Sequence, residues 1–341
     1  MKKNKIFLRI SAVLVAMLIV ASAIYASSIM GKKVTATGVR GAEISTSARA
    51  MCTIEVNSGR ILYESNADTK ISMASTTKIV TAITVLENTD DLDTPFEIDP
   101  RSIGIEGTSI YLQKGESLTV RELLLGMMLR SGNDASQALA LRISKSIEDF
   151  NKLMNQTAQK AGATSSSFKN PHGLDQEGHY TTARDLALIT AYAMKNPTFT
   201  EIAATKETKI SGVEYPRLLR NKNRILHSMD TCVGVKTGFT KKSGRCFVGA
   251  LKDHGMTIVC VVLNCGPMFE ESARLMESAL EQFSVTHIIR KDQFIDDNNI
   301  AIEDFFYPTK DSDEITIQCN DGNVQVMING SKVYESKCNV L

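Results

Sequence analysis

A serine and a lysine with the spacing of a catalytic pair stand in the segment "STTK". Ser75 lies three positions before Lys78, at the start of an apolar stretch without helix breakers. A serine hydroxyl is a weak nucleophile at neutral pH and needs an adjacent base. Residues three apart share one face of a helix, so this amine is within reach of the hydroxyl. The spacing alone is a weak signal, because "SSFK" from Ser166 to Lys169 repeats it.

A lysine acts as a base only when its amine is uncharged. The unperturbed pKa is about 10.4, so neutrality near pH 7 requires surroundings that disfavour the charged form by about 4.6 kcal/mol. Burial beside Ile79 and Val80, under a facing sheet, acts in that direction. A second cation, Lys236 of "KTG", adds to the effect. We therefore expect Lys78 to be the base that activates Ser75.

Two further motifs supply the specificity that "STTK" lacks. "SGN" at residues 131–133 falls at the break between two helical segments, and "KTG" at residues 236–238 falls on a predicted strand. Each motif is weak alone, because helix caps and turns use the same residue types. A serine–x–x–lysine, serine–x–asparagine and lysine–threonine–glycine set, in this order, is typical of penicillin-binding proteins and class A β-lactamases. The combination is therefore a strong signal.

On these motifs the chain resembles the D-alanyl-D-alanine carboxypeptidases, which are low-molecular-mass penicillin-binding proteins of the S11 serine peptidase family. The resemblance covers about residues 47–283 and extends to "ASTTKIVTAI", "LLLGMMLRSGNDAS", "NPHGLDQEGHYTTARDLA" and "GVKTGFT". It implies an α/β (α+β) fold of the β-lactamase/transpeptidase type, with a central antiparallel sheet flanked by helices. It also implies removal of the terminal D-alanine from peptidoglycan stem peptides through a Ser75 acyl-enzyme, without cofactor or metal. β-Lactam antibiotics are then covalent inhibitors.

The residues that stabilise the reacting centre follow partly from physics and partly from the resemblance. The backbone N–H of Ser75 stands at a helix start, where it can hold a developing oxyanion. The resemblance implies that the N–H of Phe239 is the second donor. It also implies that Ser131 relays a proton to the leaving amine and links Lys78 with Lys236.

The resemblance further implies the residues that bind substrate. Asn133 is expected to bind the amide carbonyl of the peptide. Lys236 and Thr237 are expected to bind the terminal carboxylate. Gly238 has no side chain, so it lets the backbone of the strand approach the substrate closely.

Two other functions fit the same motifs. A β-lactamase needs fast deacylation, which class A enzymes achieve with a glutamate and its water. No clear "ExxLN" segment lies between "SGN" and "KTG", which disfavours this alternative. A catalytically inactive wall-binding or sensor protein with a retained pocket is the second alternative, and the intact motifs argue against it.

The N-terminal segment predicts export. Residues 1–30 combine a basic start with a run of 21 uncharged residues, Ile10 to Met30, which fits a cleaved signal peptide or an uncleaved membrane anchor. Residues 31–46 are rich in small polar residues and predict a linker. We expect the body of the protein outside the cytoplasm, secreted or tethered to the membrane through the N-terminal segment.

Composition excludes one class of partner and bounds the cysteine chemistry. Without the four basic residues of the leader, the rest of the chain has 35 basic and 38 acidic residues, a formal charge of −3, so nucleic acid is not an expected partner.

Seven cysteines in an exported chain leave at least one unpaired. Cys52, Cys246 and Cys260 lie in apolar strand-like runs, where buried free thiols are expected. Cys319 and Cys338 flank a β-like segment and allow a disulfide, in a small β-rich module predicted over residues 284–341.

Overall fold

Strands and helices alternate through the described part of the chain, which in this computed structural model comprises residues 40–213 and 215–340. The strands are β1 Ala42–Glu43, β2 Ala50–Glu55, β3 Ile61–Ser65, β4 Phe96–Glu97, β5 Ser117–Leu118, β6 Glu207–Ile210, β7 Arg217–Arg220, β8 Cys232–Thr240, β9 Gly244–Asp253, β10 Met256–Leu263, β11 Ser284–Ile289, β12 Asn299–Ala301, β13 Phe305–Thr309, β14 Ile315–Asn320, β15 Asn323–Ile328 and β16 Ser331–Val340. The helices are α1 Lys78–Glu87, α2 Val120–Arg130, α3 Asn133–Ile143, α4 Ile147–Lys160, α5 Ala183–Met194, α6 Pro197–Ala204, α7 Arg224–Ser228 and α8 Met268–Gln282. The predicted leader and most of the predicted linker lie outside the described residues.

A six-stranded sheet in the order β1-β3-β2-β10-β9-β8 is the centre of the fold. Every pairing is antiparallel except that of β1 with β3, which is parallel. Strands β2 and β10 are buried almost throughout. Helix α5 packs on both strands, and α8 packs on β10 and its neighbour β9. Side chains alternate between the two faces, so Cys52 joins the core under α5 while Met51 joins the core under α8.

The segment with the serine–lysine pair begins as a 3-10 turn, Ala74–Thr77, and continues as α1 from Lys78. The Thr76 and Thr77 hydroxyls donate back to the carbonyls of Met73 and Ala74 and stabilise the turn. Helix α1 is buried from Lys78 to Val85, as its apolar composition predicts. The turn also contacts β8, the edge strand that carries "KTG".

Helices α2 and α3 meet at the "SGN" motif. Helix α2 begins with a capping box, in which the Thr119 side chain accepts from the N–H of Glu122 and the Glu122 side chain accepts from the N–H of Thr119. It ends at Arg130, and Ser131 is its C-cap, with a φ of +66° in the left-handed region. This conformation reverses the chain so that α3 begins at Asn133, and the motif forms a tight corner.

The last strands form a separate β-rich layer. Strands β12, β16, β15 and β14 make a four-stranded sheet, and β11 pairs with β13. The buried Arg60 ties this layer to the large sheet, because its guanidinium donates to Pro308 O at 2.6 Å and to both carboxylate oxygens of Asp313 at 2.7 and 2.9 Å. The same guanidinium lies over the ring of Phe283, where α8 ends and β11 begins.

The structure confirms the predicted fold class and adds detail that the sequence pattern did not indicate. The end of the predicted linker contributes β1 to the sheet edge. Residues 197–228 hold α6, the hairpin β6–β7 and α7, none of which was predicted. Cys52, Cys246 and Cys260 are buried free thiols, as expected. Among the described residues, the helices are all too short or too polar to cross a bilayer.

Candidate active site

The Lys78 amine lies among three oxygen atoms. Its Nζ is 3.1 Å from Ser75 Oγ, 2.7 Å from Asn133 Oδ1 and 2.6 Å from the carbonyl oxygen of His172. The Asn133 amide is oriented by its Nδ2, which donates to Glu106 O at 2.6 Å, so the oxygen faces the lysine. An uncharged amine has two hydrogens and one lone pair. The Asn133 and His172 oxygens can only accept and take the two hydrogens, which leaves the lone pair for the Ser75 hydroxyl.

Burial and neighbouring charges favour the uncharged form of Lys78. The side chain is fully buried, and this burial is the largest cause that lowers its pKa well below the ordinary value. The positive charges of Lys236 and Lys222 lower the pKa further, while the Asp134 carboxylate opposes them. The environment therefore acts as the sequence predicts, with Lys222 as an additional cation.

Lys236 lies buried on β8 and donates to the carbonyl of Thr237 at 3.1 Å. Burial and the nearby charge of Lys222 lower the pKa of Lys236 to about 7. Near neutral pH this amine therefore changes its charge, and an anionic ligand beside it stabilises the protonated form.

Gly238 brings β8 against the turn that holds Ser75. A Cβ added at Gly238 would lie 3.1 Å from the backbone nitrogens of Ser75 and Thr76. Such separations are tighter than most real Cβ contacts, so a glycine allows this close approach of strand and turn. Phe239 follows on the same strand and is 65% exposed. The turn that carries Ser75 and the edge strand β8 thus form the two sides of one cleft.

The buried Asp134 holds the loop that faces the corner at "SGN". Its carboxylate accepts from the backbone N–H of Ile110 and of Leu112 at 3.0–3.1 Å and from the Ser109 hydroxyl at 2.5 Å. The backbone N–H of Asn133 donates to Thr108 O at 2.7 Å in the same loop. Several buried donors thereby fix the start of α3, and with it the amide that contacts Lys78.

A second loop supplies the His172 carbonyl and permits only glycine at the next position. Gly173 has φ +89°, and a Cβ there would stand 1.9 Å from Ala74 O. The buried His179 connects this loop to the turn before α1. Its Nδ1 accepts from the backbone N–H of Lys169, and its Nε2 lies 2.9 Å from Thr77 Oγ1. Accepting at Nδ1 leaves the hydrogen on Nε2, so Thr77 Oγ1 accepts from it. Burial lowers the pKa of His179 to about 4, which keeps the ring neutral.

The structure brings most of the predicted site residues to this cleft. Lys78 directly contacts Ser75 and Asn133. Lys236 and Gly238 lie beside them on β8. Within the described residues the buried Ser131 hydroxyl makes no hydrogen bond to either lysine. The expected direct link between the two amines is therefore not present in this structure, because the contacts of the Lys78 amine go to other oxygens. The role of Ser131 as a proton relay stays a prediction.

Sequence reasoning missed three groups that shape the site. The His172 carbonyl is a backbone group, so no residue type in the sequence indicates it. Asp134 directly follows the "SGN" motif, and an acidic residue in the first turn of a helix was a usable signal. Lys222 lies in a segment without a recognisable motif, and only the folded chain places its charge beside the two buried lysines.

Comparison with known proteins decides the family. The model of the peptidase S11 family, described as D-alanyl-D-alanine carboxypeptidase, matches residues 35–266. The chain belongs to the peptidase S11 family. The D-alanyl-D-alanine carboxypeptidase DacF of Bacillus subtilis (strain 168) is 32% identical over 266 residues, which cover 76% of this chain and 68% of that relative. The D-alanyl-D-alanine carboxypeptidase of Streptomyces sp. (strain K15) is 33% identical over 222 residues, which cover 60% and 76%.

Solved structures agree with membership of the S11 family. The DD-transpeptidase of Streptomyces K15 superposes with a TM-score of 0.65 and 30% identity, over 69% of this chain and 98% of that chain. The D-alanyl-D-alanine carboxypeptidase DacD of Francisella tularensis superposes with a TM-score of 0.73 over 89% of this chain and 96% of that chain. At 24% identity the second match supports the fold alone.

Proposed function

We propose that this S11 family member is a serine-type carboxypeptidase that removes the terminal D-alanine from peptidoglycan stem pentapeptides. The observation that carries the proposal is the contact of the Ser75 hydroxyl with a fully buried lysine amine. The two other contacts of that amine are to oxygens that only accept, which suits an uncharged base. We assign catalysis to residues 47–283.

Acylation follows from this geometry. Ser75 Oγ attacks the carbonyl carbon of the penultimate D-alanine, and its proton passes to the lone pair of Lys78 Nζ. The C–N bond then breaks, and the leaving amine of D-alanine takes up a proton that reaches it through Lys78 or Ser131. Water attacks the ester in the second half of the reaction and regenerates the Ser75 hydroxyl. No metal or cofactor takes part in these steps.

Two backbone donors stabilise the negative charge on the carbonyl oxygen. The Ser75 N–H is one, and we propose the Phe239 N–H as the other. Strand β8 is the edge of the sheet, so alternate N–H groups have no partner strand. The Thr240 N–H donates to Ser243 in the turn that leads to β9. Since N–H directions alternate along a strand, the Phe239 N–H faces the free edge and the cleft.

The charges of the site suit a substrate that ends in a carboxylate. Lys236 and Lys222 place positive charge beside the uncharged Lys78, and an anionic group of the substrate would balance it. We assign the terminal carboxylate to Lys236 and to the Thr237 hydroxyl, and the amide carbonyl to Asn133. The Asn133 Nδ2 already donates one hydrogen to Glu106 O, so its second hydrogen is the one available to substrate.

The proposed substrate places the enzyme at the cell wall. Peptidoglycan lies outside the cytoplasm, and the predicted leader at residues 1–30 agrees with export of the body of the protein. We propose that the protein is secreted or held at the outer face of the membrane by this leader. The proposal rests on sequence, since these residues lie outside the described part of the structure.

The decisive experiment measures release of D-alanine from a diacylated Lys-D-Ala-D-Ala peptide by the purified protein. We expect release by the unchanged chain, none by Ser75→Ala, and undiminished release by Ser166→Ala. Ser166 is a matched control because it has the same spacing to a lysine, but its hydroxyl lies 2.7 Å from the carboxylate of Asp185. Release that survives in Ser75→Ala would refute the assignment.

Labelled penicillin separates the alternatives. A long-lived adduct on Ser75 is the result expected for a carboxypeptidase. Rapid turnover of the label, with little release of D-alanine, would instead identify a β-lactamase. Binding of the label or of a muropeptide with no release of D-alanine would identify an inactive wall-binding protein.

A further inference from the structure

Two thiols in the β-rich module lie side by side. The Sγ atoms of Cys319 on β14 and Cys338 on β16 are 3.0 Å apart. Neither belongs to the cleft, and both are partly exposed, whereas the other five cysteines are buried. We propose that Cys319 and Cys338 form a disulfide in the exported protein. The step depends on the proposed export but not on the proposed peptidase activity.

The path of β16 explains how strands that are not neighbours bring these residues together. Strand β15 lies between β14 and β16, and strands two apart in a sheet are separated by about 9.5 Å, too far for a disulfide. At its end, however, β16 runs past the turn between β14 and β15. The N–H of Cys338 donates to Gly322 O at 3.0 Å, in that turn. The side chain of Cys338 can therefore reach around the end of β15.

The side chains also point to the same face of the sheet. Cys319 lies opposite Val324 on β15, and Val324 lies opposite Ser336 on β16. Paired residues share a face, and side chains alternate along a strand, so Cys338 lies on the face of Ser336 and Cys319. Val324, which shares this face, is fully buried. A bond between the thiols therefore requires no change of register.

Formation of the bond is an ordinary two-electron oxidation. Each thiol loses one proton and one electron, the two sulfur atoms join, and a disulfide-bearing oxidant outside the cytoplasm is reduced to a dithiol by exchange. The partly exposed thiols are accessible to such an oxidant. The thiols of Cys52, Cys246 and Cys260 are buried and therefore not accessible to it.

The bond would fasten the last strand of the chain to the hairpin β14–β15. The module has a small core, formed by Ile289, Ala301, Phe305, Tyr307, Val324, Val326, Ile328 and Val333. Small β structures with limited cores gain much of their stability from cross-links. The disulfide closes a loop of about 20 residues, and its main effect is to restrict the unfolded module.

The test uses the full chain exported to an oxidising compartment and purified without reductant. Free thiols are alkylated, the protein is digested unreduced, and the peptides are weighed. We expect one linked pair of peptides that contain Cys319 and Cys338, lighter by two hydrogens than their sum, with the five buried cysteines recovered as thiols. Recovery of both residues as alkylated thiols would overturn the proposal.

Thermal unfolding provides a second measurement. We expect Cys319→Ser, Cys338→Ser and the double variant to lower the unfolding midpoint of the module equally, by about 5 °C or more, because each removes the same bond. Reductant should lower the midpoint of the unchanged chain to the same value and leave the double variant unaffected. Additive losses in the single variants would contradict a shared bond. Release of D-alanine should be unchanged throughout, so this test and the test of peptidase activity fail independently.

Discussion

Replacing Lys78 by methionine removes the proposed base and keeps an unbranched side chain of similar length. A positioned general base contributes about 10²–10⁴-fold to the rate, or about 3–5.5 kcal/mol of transition-state free energy. Because Lys78 Nζ lies within hydrogen-bond distance of the proposed nucleophile, 3.1 Å from Ser75 Oγ, we expect the upper part of that range. Acylation of Ser75 by a fluorescent penicillin should slow by about 10³-fold or more.

The same change has a cost in stability that the structure allows us to bound. Removing the amine leaves Asn133 Oδ1 and the His172 carbonyl without their donor. A buried acceptor without a partner costs about 1–3 kcal/mol, so the two together cost about 2–6 kcal/mol. Release of the buried amine from its apolar surroundings offsets part of this loss. Denaturant unfolding of Lys78→Met therefore accompanies the assay and identifies conditions in which the variant is folded.

The assay follows the rate constant of acylation in stopped flow or by gel fluorescence. Lys169→Met is the matched control, because this exposed lysine ends the "SSFK" segment with the same spacing from a serine, and we expect its rate to be unchanged. Lys78→Arg is a second variant, whose guanidinium stays charged and cannot serve as a base. Acylation within tenfold of the unchanged chain in folded Lys78→Met or Lys78→Arg would refute the reasoning.

Three further predictions concern the surroundings of the pair. The value of kcat/KM for D-alanine release should fall as pH rises through about 7, because the pKa of Lys236 in the free enzyme is about 7 and the amine binds carboxylate only while protonated. The residual activity of Lys236→Arg should lack this decline. Gly173→Ala should reduce D-alanine release at least about 100-fold or prevent folding, because its Cβ would stand 1.9 Å from Ala74 O. Asp134→Ala should lower the free energy of unfolding by at least about 3 kcal/mol in urea, because several buried donors lose their acceptor.

Each of these predictions has a control and a contrary outcome. Gly178→Ala shares the positive φ, but its Cβ would meet only the Lys169 side chain at 3.2 Å, so activity should persist. Equal losses in the two glycine variants would remove the steric argument. Asp149→Ala changes an exposed carboxylate and should cost much less than Asp134→Ala. An alkaline decline that is the same in Lys236→Arg would assign the titration to another group.

The sequence was sufficient to predict three parts of the cleft: the serine–lysine pair, the break between helices at "SGN" and the strand that carries "KTG". Motif order predicted Ser75, Lys78, Asn133 and Lys236 as site residues, and hydrophobic pattern predicted the helix and the strand that carry two of the motifs. Contact between Ser75 and Lys78 follows from their spacing along one turn. Local rules were enough wherever the partners are close in the chain.

Features that depend on distant backbone atoms were beyond such rules. The carbonyl that accepts from Lys78 belongs to His172, 94 residues away, and a carbonyl is common to every residue type. In the sequence, Gly173 cannot be distinguished from other loop glycines, and only the fold places it against Ala74. The hairpin β6–β7 and the charge of Lys222 likewise required tertiary placement, since their segment has no strong periodicity.

A measurement of the charge of Lys78 tests most directly whether this amine is uncharged at neutral pH. Lysine labelled with ¹³C at Cε reports the charge of each amine by NMR, and the resonance missing from Lys78→Met identifies the residue. We expect this resonance in the unchanged chain to have the shift of a neutral amine at pH 7 and to titrate far below the ordinary lysine pKa. A resonance that titrates near pH 10.4, with the amine charged at neutral pH, would contradict it.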